Sequence, residues 1–140
     1  MTELALTVSR KINAPADKLF NAWLDPEMLA KFMIPGTGMT VPQAASDPVV
    51  GGRFDILMQA GENQIPHHGI YKTIEPHTKL AFTWQSPYSV DDSTVTLTFT
   101  PTDGGTNVEL NHVKFADAET RDNHAGGWQS ILQTLDAVFS

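Results

Sequence analysis

The sequence predicts an α+β domain in which a curved antiparallel sheet wraps around one long C-terminal helix, in the order β-α-α-β6-α. Three observations predict it. Apolar residues alternate with polar ones in an opening segment and in six further segments between residues 39 and 112. Turn residues separate those six at spacings of about 8 to 12 residues, with no helical stretch between them, which is the pattern of an antiparallel meander. Helical spacing is confined to residues 16–33 and to residues 117–139.

The first strand is LALTVSRKI, residues 4–12, with Leu4, Leu6, Val8 and Ile12 on one side and Thr7, Ser9 and Lys11 on the other. It ends at Asn13-Ala14-Pro15. Asn13 is expected to cap a helix and Pro15 to sit in its first turn, where proline's missing N–H would be unpaired anyway. In ADKLFNAWL, Leu19, Phe20, Trp23 and Leu24 fall at helical spacing. Asp25-Pro26 interrupts it, because the residue before proline avoids the helical region. EMLAKFM forms a second short helix gathering Met28, Leu29, Phe32 and Met33, and Pro35-Gly36 stop it.

Met39 and Val41 open a strand that Pro42 confines to an edge or an end. Gly51-Gly52 turns the chain; Phe54, Ile56 and Met58 then alternate with Arg53, Asp55 and Leu57. After a turn at Gly61-Glu62-Asn63, residues 65–75 form a strand closed by Pro76. Leu80, Phe82 and Trp84 mark the next strand, and Asp91-Asp92 a loop. Val95, Leu97 and Phe99 alternate with threonines, a half-buried strand rich in β-branched and aromatic residues. Asp103-Gly104-Gly105 is a hairpin signal, and Val108 and Leu110 lead to His112. The last helix, Asp117 to Phe139, aligns Trp128, Ile131, Leu132, Leu135, Val138 and Phe139 in one stripe, with Asp117 or Thr120 as its cap. Gly126-Gly127 weakens it by about 1 kcal/mol per glycine relative to alanine, which points to a close neighbour or a looser lip. Seven strands need a cover, and only this helix is long enough to supply one. A curved sheet gripping a single helix leaves room for a cavity.

Composition bounds the function. One domain spanning residues 1–140 follows from the length, and a folded monomer of 15.3 kDa should expose roughly 7,000 Å². The absence of cysteine excludes disulfides, thiolate metal sites and cysteine nucleophiles. A net charge of -7 disfavours nucleic acid and anionic membranes as partners. The last third carries most of that charge: eight acids stand against only Lys114 and Arg121 after residue 90, spread over loops and a helix as a solvated face is. No apolar run reaches membrane-spanning length, and Met1 to Arg10 alternates instead of forming a leader. A soluble cytoplasmic protein is expected.

The candidate chemistry is sparse. His67-His68 resembles a metal pair, but neighbours on a strand point to opposite faces, and no Glu-x-x-His or His-x-x-x-His spacing supplies a third ligand, so no metal is expected. Tyr71 shares a strand face with His67 and Gly69, while His124 lies one turn before Trp128. With His112 they form a set that could orient a carbonyl or phenol or move a proton, or be buried groups satisfied by hydrogen bonds. Arg53 and Asp55 read as a surface ion pair. No serine stands in a Gly-x-Ser-x-Gly elbow, and the paired glycines lack the lysine of a phosphate loop, so no cofactor is expected. Met28, Phe32, Met33 and Met39 cluster at the junction of helix and strand, where adaptable methionines suit a variable apolar site or an ordinary core.

The ordered set Arg10-Lys11-Ile12-Asn13-Ala14-Pro15, Ala22-Trp23, Asp25-Pro26, Gly51-Gly52-Arg53-Phe54, Gly69-Ile70-Tyr71, Ile74-Glu75-Pro76, Leu80-Ala81-Phe82-Thr83-Trp84, Thr94 to Phe99, Gly105-Thr106, His112, Phe115 and His124 to Trp128 resembles the START-like (SRPBCC, Bet v 1-like) superfamily. Within it the chain resembles the family related to the C-terminal domain of the Hsp90 ATPase activator. The resemblance implies a helix-grip fold with an internal cavity. One departure is Lys31-Phe32-Met33-Ile34-Pro35, where the family usually has tryptophans. Fold alone does not specify a reaction. The leading expectation is binding of a small hydrophobic or aromatic molecule by Phe32, Met33, Met39, Phe54, Met58, His67, Tyr71, Trp84, Leu97, His112, His124, Trp128 and Leu132. The alternative is a cyclase or hydrolase using Tyr71, His112 or His124 as acid or base. A third reading, partnership with the Hsp90 chaperone, ranks last because the chain begins directly at the first strand, without the activator's additional domain. Dimerisation through a strand edge or the helix is left open.

Overall fold

A computed structural model of the chain describes residues 4–36, 38–87 and 89–139; the first three residues of the segment read against a leader, with Thr37, Tyr88 and Ser140, lie outside the described residues. Strand β1 (Ala5–Ile12) is followed by helices α1 (Ala16–Ala22) and α2 (Pro26–Phe32). Strands β2 (Met39–Ser46), β3 (Arg53–Ala60), β4 (Asn63–Glu75), β5 (Lys79–Thr83), β6 (Thr94–Thr102) and β7 (Gly105–Val113) come next, then helix α3 (Ala118–Phe139). The seven strands form one antiparallel sheet in the order β1-β7-β6-β5-β4-β3-β2. This is the helix-grip α+β architecture. The accessible surface, 7218 Å², agrees with the size expectation.

The meander accounts for six of the strands, and β1 joins beyond β7, from Ala5 opposite Val113 to Ile12 opposite Thr106. Strand β2 is the other edge, and its register slips between Thr40 and Gln43. Pro42, which has no N–H to give a ladder, sits at that slip. The long β4 pairs with β3 from Asn63 to Ile70 and with β5 from Tyr71 to Glu75, the second register shifting between Tyr71 and Thr73. Gly69 lies just before the changeover, opposite Phe54. A Cβ there would fall 1.9 Å from the Thr83 carbonyl oxygen and 2.5 Å from the Phe54 ring, so only glycine lets the strands close up.

The helix ends differ from expectation in one place. Asn13 does not cap α1: the cap position is Pro15, and no side chain bonds to the helix start there. The chain bends at Asn13 and Ala14 and is extended at Pro15, which leaves Asn13 two residues before the cap position. Asp25, read only as a breaker, caps α2 by accepting from the Glu27 N–H at 2.9 Å. Asp117 caps α3, accepting from the Thr120 N–H at 2.8 Å.

Trp128, Ile131, Leu132 and Leu135 bury the stripe of α3 against the sheet. Each such side chain contributes about 1.5–3 kcal/mol, more than the two glycines take away. Val138 departs from the expected stripe: it lies on the flank of the last turn and is 38% exposed. A second correction concerns the cover. Helix α3 does not cover the sheet alone, because α1, α2 and the residues just after them bury Leu19, Phe20, Trp23, Leu29, Phe32 and Met33 in the same core. Trp23 meets Phe32 edge-on at 4.9 Å and lies 6.5 Å from Trp128. Among the described residues no helix is long and apolar enough to cross a membrane.

Candidate functional site

Among the described residues, two spaces lie between sheet and helices. The larger is a partly open pocket of about 160 Å³, lined by Pro35, Met58, His67, Trp84, Asn123, His124, Gly127, Trp128 and Ile131. Strand pairing builds one wall, with His67 of β4 opposite Ile56 of β3 and Met58 two residues along the same inner face. Trp84, just past β5, is pinned by the bond from its backbone N–H to the Ser93 carbonyl at 2.8 Å. Helix α3 builds the other wall. Gly127 allows it to approach: a Cβ at that position would stand 3.2 Å from Pro35 Cβ. The Trp84 and Trp128 rings meet at 4.8 Å.

The smaller space is about 10 Å³, room for about one water, among Trp23, Leu29, Met33, Phe54, Ile56, Tyr71, Phe82 and Trp84. Trp84 is the wall common to both. Its indole N–H, like that of Trp23, is buried and has no hydrogen-bond partner among the described residues.

The three histidines near the pocket have fixed tautomers. His67 Nδ1 donates to the Ile65 carbonyl at 3.1 Å, and its ring lies 4.9 Å from Trp84. A carbonyl can only accept, so the neutral ring carries its proton on Nδ1. Burial, aided by neighbouring His124, pushes His67 down to about 4. His124 Nδ1 donates to the Thr120 carbonyl one turn back at 2.8 Å, making Nε2 its accepting nitrogen. His112 is fully buried. Its Nδ1 accepts from the Trp128 indole at 3.0 Å, so its proton is on Nε2 and is given to Ser93 Oγ at 2.6 Å. Burial, then the nearby His124, holds His112 down at about 3. Both nitrogens being engaged, His112 ties α3 to β7 and to Ser93 just before β6, and has no nitrogen left for a ligand.

The thirteen expected cavity residues therefore separate. Met58, His67, Trp84, His124 and Trp128 line the pocket. Met33, Phe54 and Tyr71 line the small void, where burial raises Tyr71 to about 12. Phe32, Leu97, His112 and Leu132 are in the packed core. Met39 is half-buried at the start of β2, with its sulfur beside Gly36. The acid–base set is not assembled around one space: Tyr71 faces the void, His112 is locked, and only His124 reaches the pocket. Strand and helix patterns missed Pro35, Asn123, Gly127 and Ile131 as lining residues. The glycine pair and the helical stripe were signals for Gly127 and Ile131; Pro35 read only as a helix stop, and Asn123 carried no signal. His67 is buried while His68 is half-buried on the other face. Among the described residues no three His, Cys, Asp or Glu side chains gather as a metal site would require. Arg53 and Asp55 form an exposed ion pair at 2.8 Å.

A family model for "Activator of Hsp90 ATPase homolog 1-like protein" matches residues 13–140. No curated protein matches the sequence. Among solved structures, protein CV1439 from Chromobacterium violaceum superposes with a TM-score of 0.88 at 25% identity, covering 96% of each chain. The AHSA1-like protein from Aeromonas hydrophila gives 0.80 at 27% identity over 96% of this chain and 90% of that one. Protein SA2116 from Staphylococcus aureus gives 0.84 at only 13% identity, covering 99% and 94%, so the fold persists where the sequence does not.

Proposed function

Because the chain belongs to the Activator of Hsp90 ATPase homolog 1-like family, within the SRPBCC superfamily, we propose that it binds a small, mainly apolar molecule in the pocket between the sheet and α3. The observation that carries this reading is the pocket of about 160 Å³ walled by Met58, Trp84, Trp128 and Ile131 in an otherwise packed interior. Ligand sites are concave, chiefly apolar, and carry a few polar groups that set orientation; His67, Asn123 and His124 fill that part here. An acid–base enzyme is the weaker reading, since His112 and Tyr71 do not reach this space.

The test is an NMR titration with a panel of small aromatics, polyketides and fatty acids, read on the methyl of Met58 and the indoles of Trp84 and Trp128. Saturable shifts at these three are expected, with loss of binding in Met58→Trp, which fills the space while thermal unfolding reports that the fold is retained. Shifts that leave all three unmoved for every compound would overturn the reading.

A further inference from the structure

Burial sorts the lining of the pocket into a mouth and a floor. Asn123 is exposed, and Pro35, His124 and Gly127 are half-buried, so these form the mouth. Met58, His67, Trp84, Trp128 and Ile131 are buried and form the floor. The floor is where a ligand gives up its water, and all of its side chains but His67 are apolar or aromatic.

The floor is shallow. Inward it ends on the Trp84 and Trp128 rings, whose centres are 4.8 Å apart. Beyond Trp84 lies the void of about 10 Å³, walled by large side chains such as Trp23, Leu29 and Met33. The pocket itself is about 160 Å³, and an apolar cavity of about 150 Å³ accommodates benzene. One ring therefore uses the whole space. A longer ligand must leave its remainder at the mouth or in water.

The polar groups do not call for an ion. Among the described residues the lining holds no Lys, Arg, Asp or Glu, and stripping an unpaired ion of water is costly. Asn123 and His124 reach solvent at the mouth. His67 gives its Nδ1 proton to the Ile65 carbonyl and keeps Nε2 as an acceptor. A neutral polar substituent on the ring is therefore tolerated and not required. Resting on the binding reading above, we infer that the site takes an uncharged molecule whose buried part is the size of a single benzene ring. Fused polycycles and long acyl chains are poor ligands, because their carbons beyond the first ring gain no burial.

An NMR titration of the full chain at about pH 8, above the ordinary histidine value, tests this on the indole signals of Trp84 and Trp128. The probes are benzene, toluene, ethylbenzene, propylbenzene and butylbenzene, with naphthalene, benzoate and benzylammonium. Each carbon buried in an unfilled apolar site tightens binding by about fourfold. Here the rise should stop near toluene, with less than about twofold for each carbon beyond it, and naphthalene should bind no tighter than toluene. Benzoate and benzylammonium should each be at least about tenfold weaker than toluene. Met58→Ala, which deepens the floor, should carry the full rise on to propylbenzene. Should that variant not fold, Ile131→Val, which removes one methylene, should carry it to ethylbenzene. A rise of about fourfold per carbon as far as butylbenzene, naphthalene tighter than toluene, either ion as tight as toluene, or a limit that neither variant moves would overturn the single-ring assignment and leave the binding reading standing. Binding confined to larger compounds of the wider panel would do the same. Silence of every compound in both sets would overturn both.

Discussion

The pocket and the small void lie on the same inner face of the sheet, on either side of Trp84, yet one holds about 160 Å³ and the other about 10 Å³. The strands do not account for the difference, since both draw on inward residues of β3 and β4 and share Trp84. What differs is the lid. Over the void, Trp23, Leu29 and Met33 supply large apolar side chains. Over the pocket, the first half of α3 supplies Asn123, His124 and Gly127, too small or too polar to fill it. The sheet sets where a cavity can be, and the covering helices decide whether it survives.

The largest expected effect lies on the packed side. Trp23→Ala should cost about 3–5 kcal/mol, the range for removing a buried aromatic that cannot be replaced by collapse. Met58→Ala, on the pocket wall, should cost less than the usual core truncation, because its neighbours already border open space. Urea unfolding of the two variants measures the gap; equal losses would mean that the pocket is closed in solution.

Acid should erode both regions next. His112 belongs to the packed side and His67 to the pocket, and each has an ordinary value of 6.5 that folding lowers, to about 3 and about 4. Below pH 6.5 the unfolded chain takes up protons that the folded chain refuses, so stability is complete above that pH and falls as pH drops toward the folded values. At pH 4.5 the loss should be on the order of 2–3 kcal/mol for each histidine. His67→Phe should remove its share of this slope in a pH series of unfolding free energies. A slope unchanged in that variant would show that His67 is not desolvated.

How far this division was legible follows from the kinds of contact involved. Strand parity correctly placed Phe54, Ile56 and Met58 on one face and Tyr71 with His67, because a period of two is a local property. The helical stripe likewise anticipated Trp128, Ile131, Leu132 and Leu135. The partition of that face into filled and open parts depends on where α1 and α2 come to rest, a long-range outcome that no window of sequence contains. The same holds for His112, whose indole and hydroxyl partners, Trp128 and Ser93, are 16 and 19 residues away. Asn13 was misread for a more local reason: a capping residue type next to Pro15 is a helix-start signal, but the chain stays extended through the proline itself.

The adjacent glycines of α3 sharpen the contrast at a smaller scale. A Cβ on Gly126 meets nothing within 4 Å, whereas one on Gly127 meets Pro35 at 3.2 Å. Gly126→Ala should stabilise by about 0.5–1 kcal/mol through helix propensity alone. Gly127→Ala should gain less, because the contact with Pro35 must relax, and it should weaken ligand binding by narrowing the pocket. A gain of equal size at both positions, with binding unchanged, would show that Gly127 does not shape the site.

The smallest effect concerns the fastening of α3 at its far end, where Arg10 Nε meets Asp136 at 2.8 Å. The two side chains are 40% and 26% exposed, so solvent screens the pair and a double-mutant cycle should find about 0.2–1 kcal/mol. Its interest is directional. The C-terminal half of α3 is held by this bond and by Leu132 and Leu135, and the N-terminal half mainly by the Trp128–His112 bond. Hydrogen exchange in Arg10→Ala should therefore quicken in the last turns of α3 and stay unchanged at residues 120–127, beside the pocket. Exchange that quickens along the whole helix would mean that α3 moves as one rod, and that the open and packed regions are not independent.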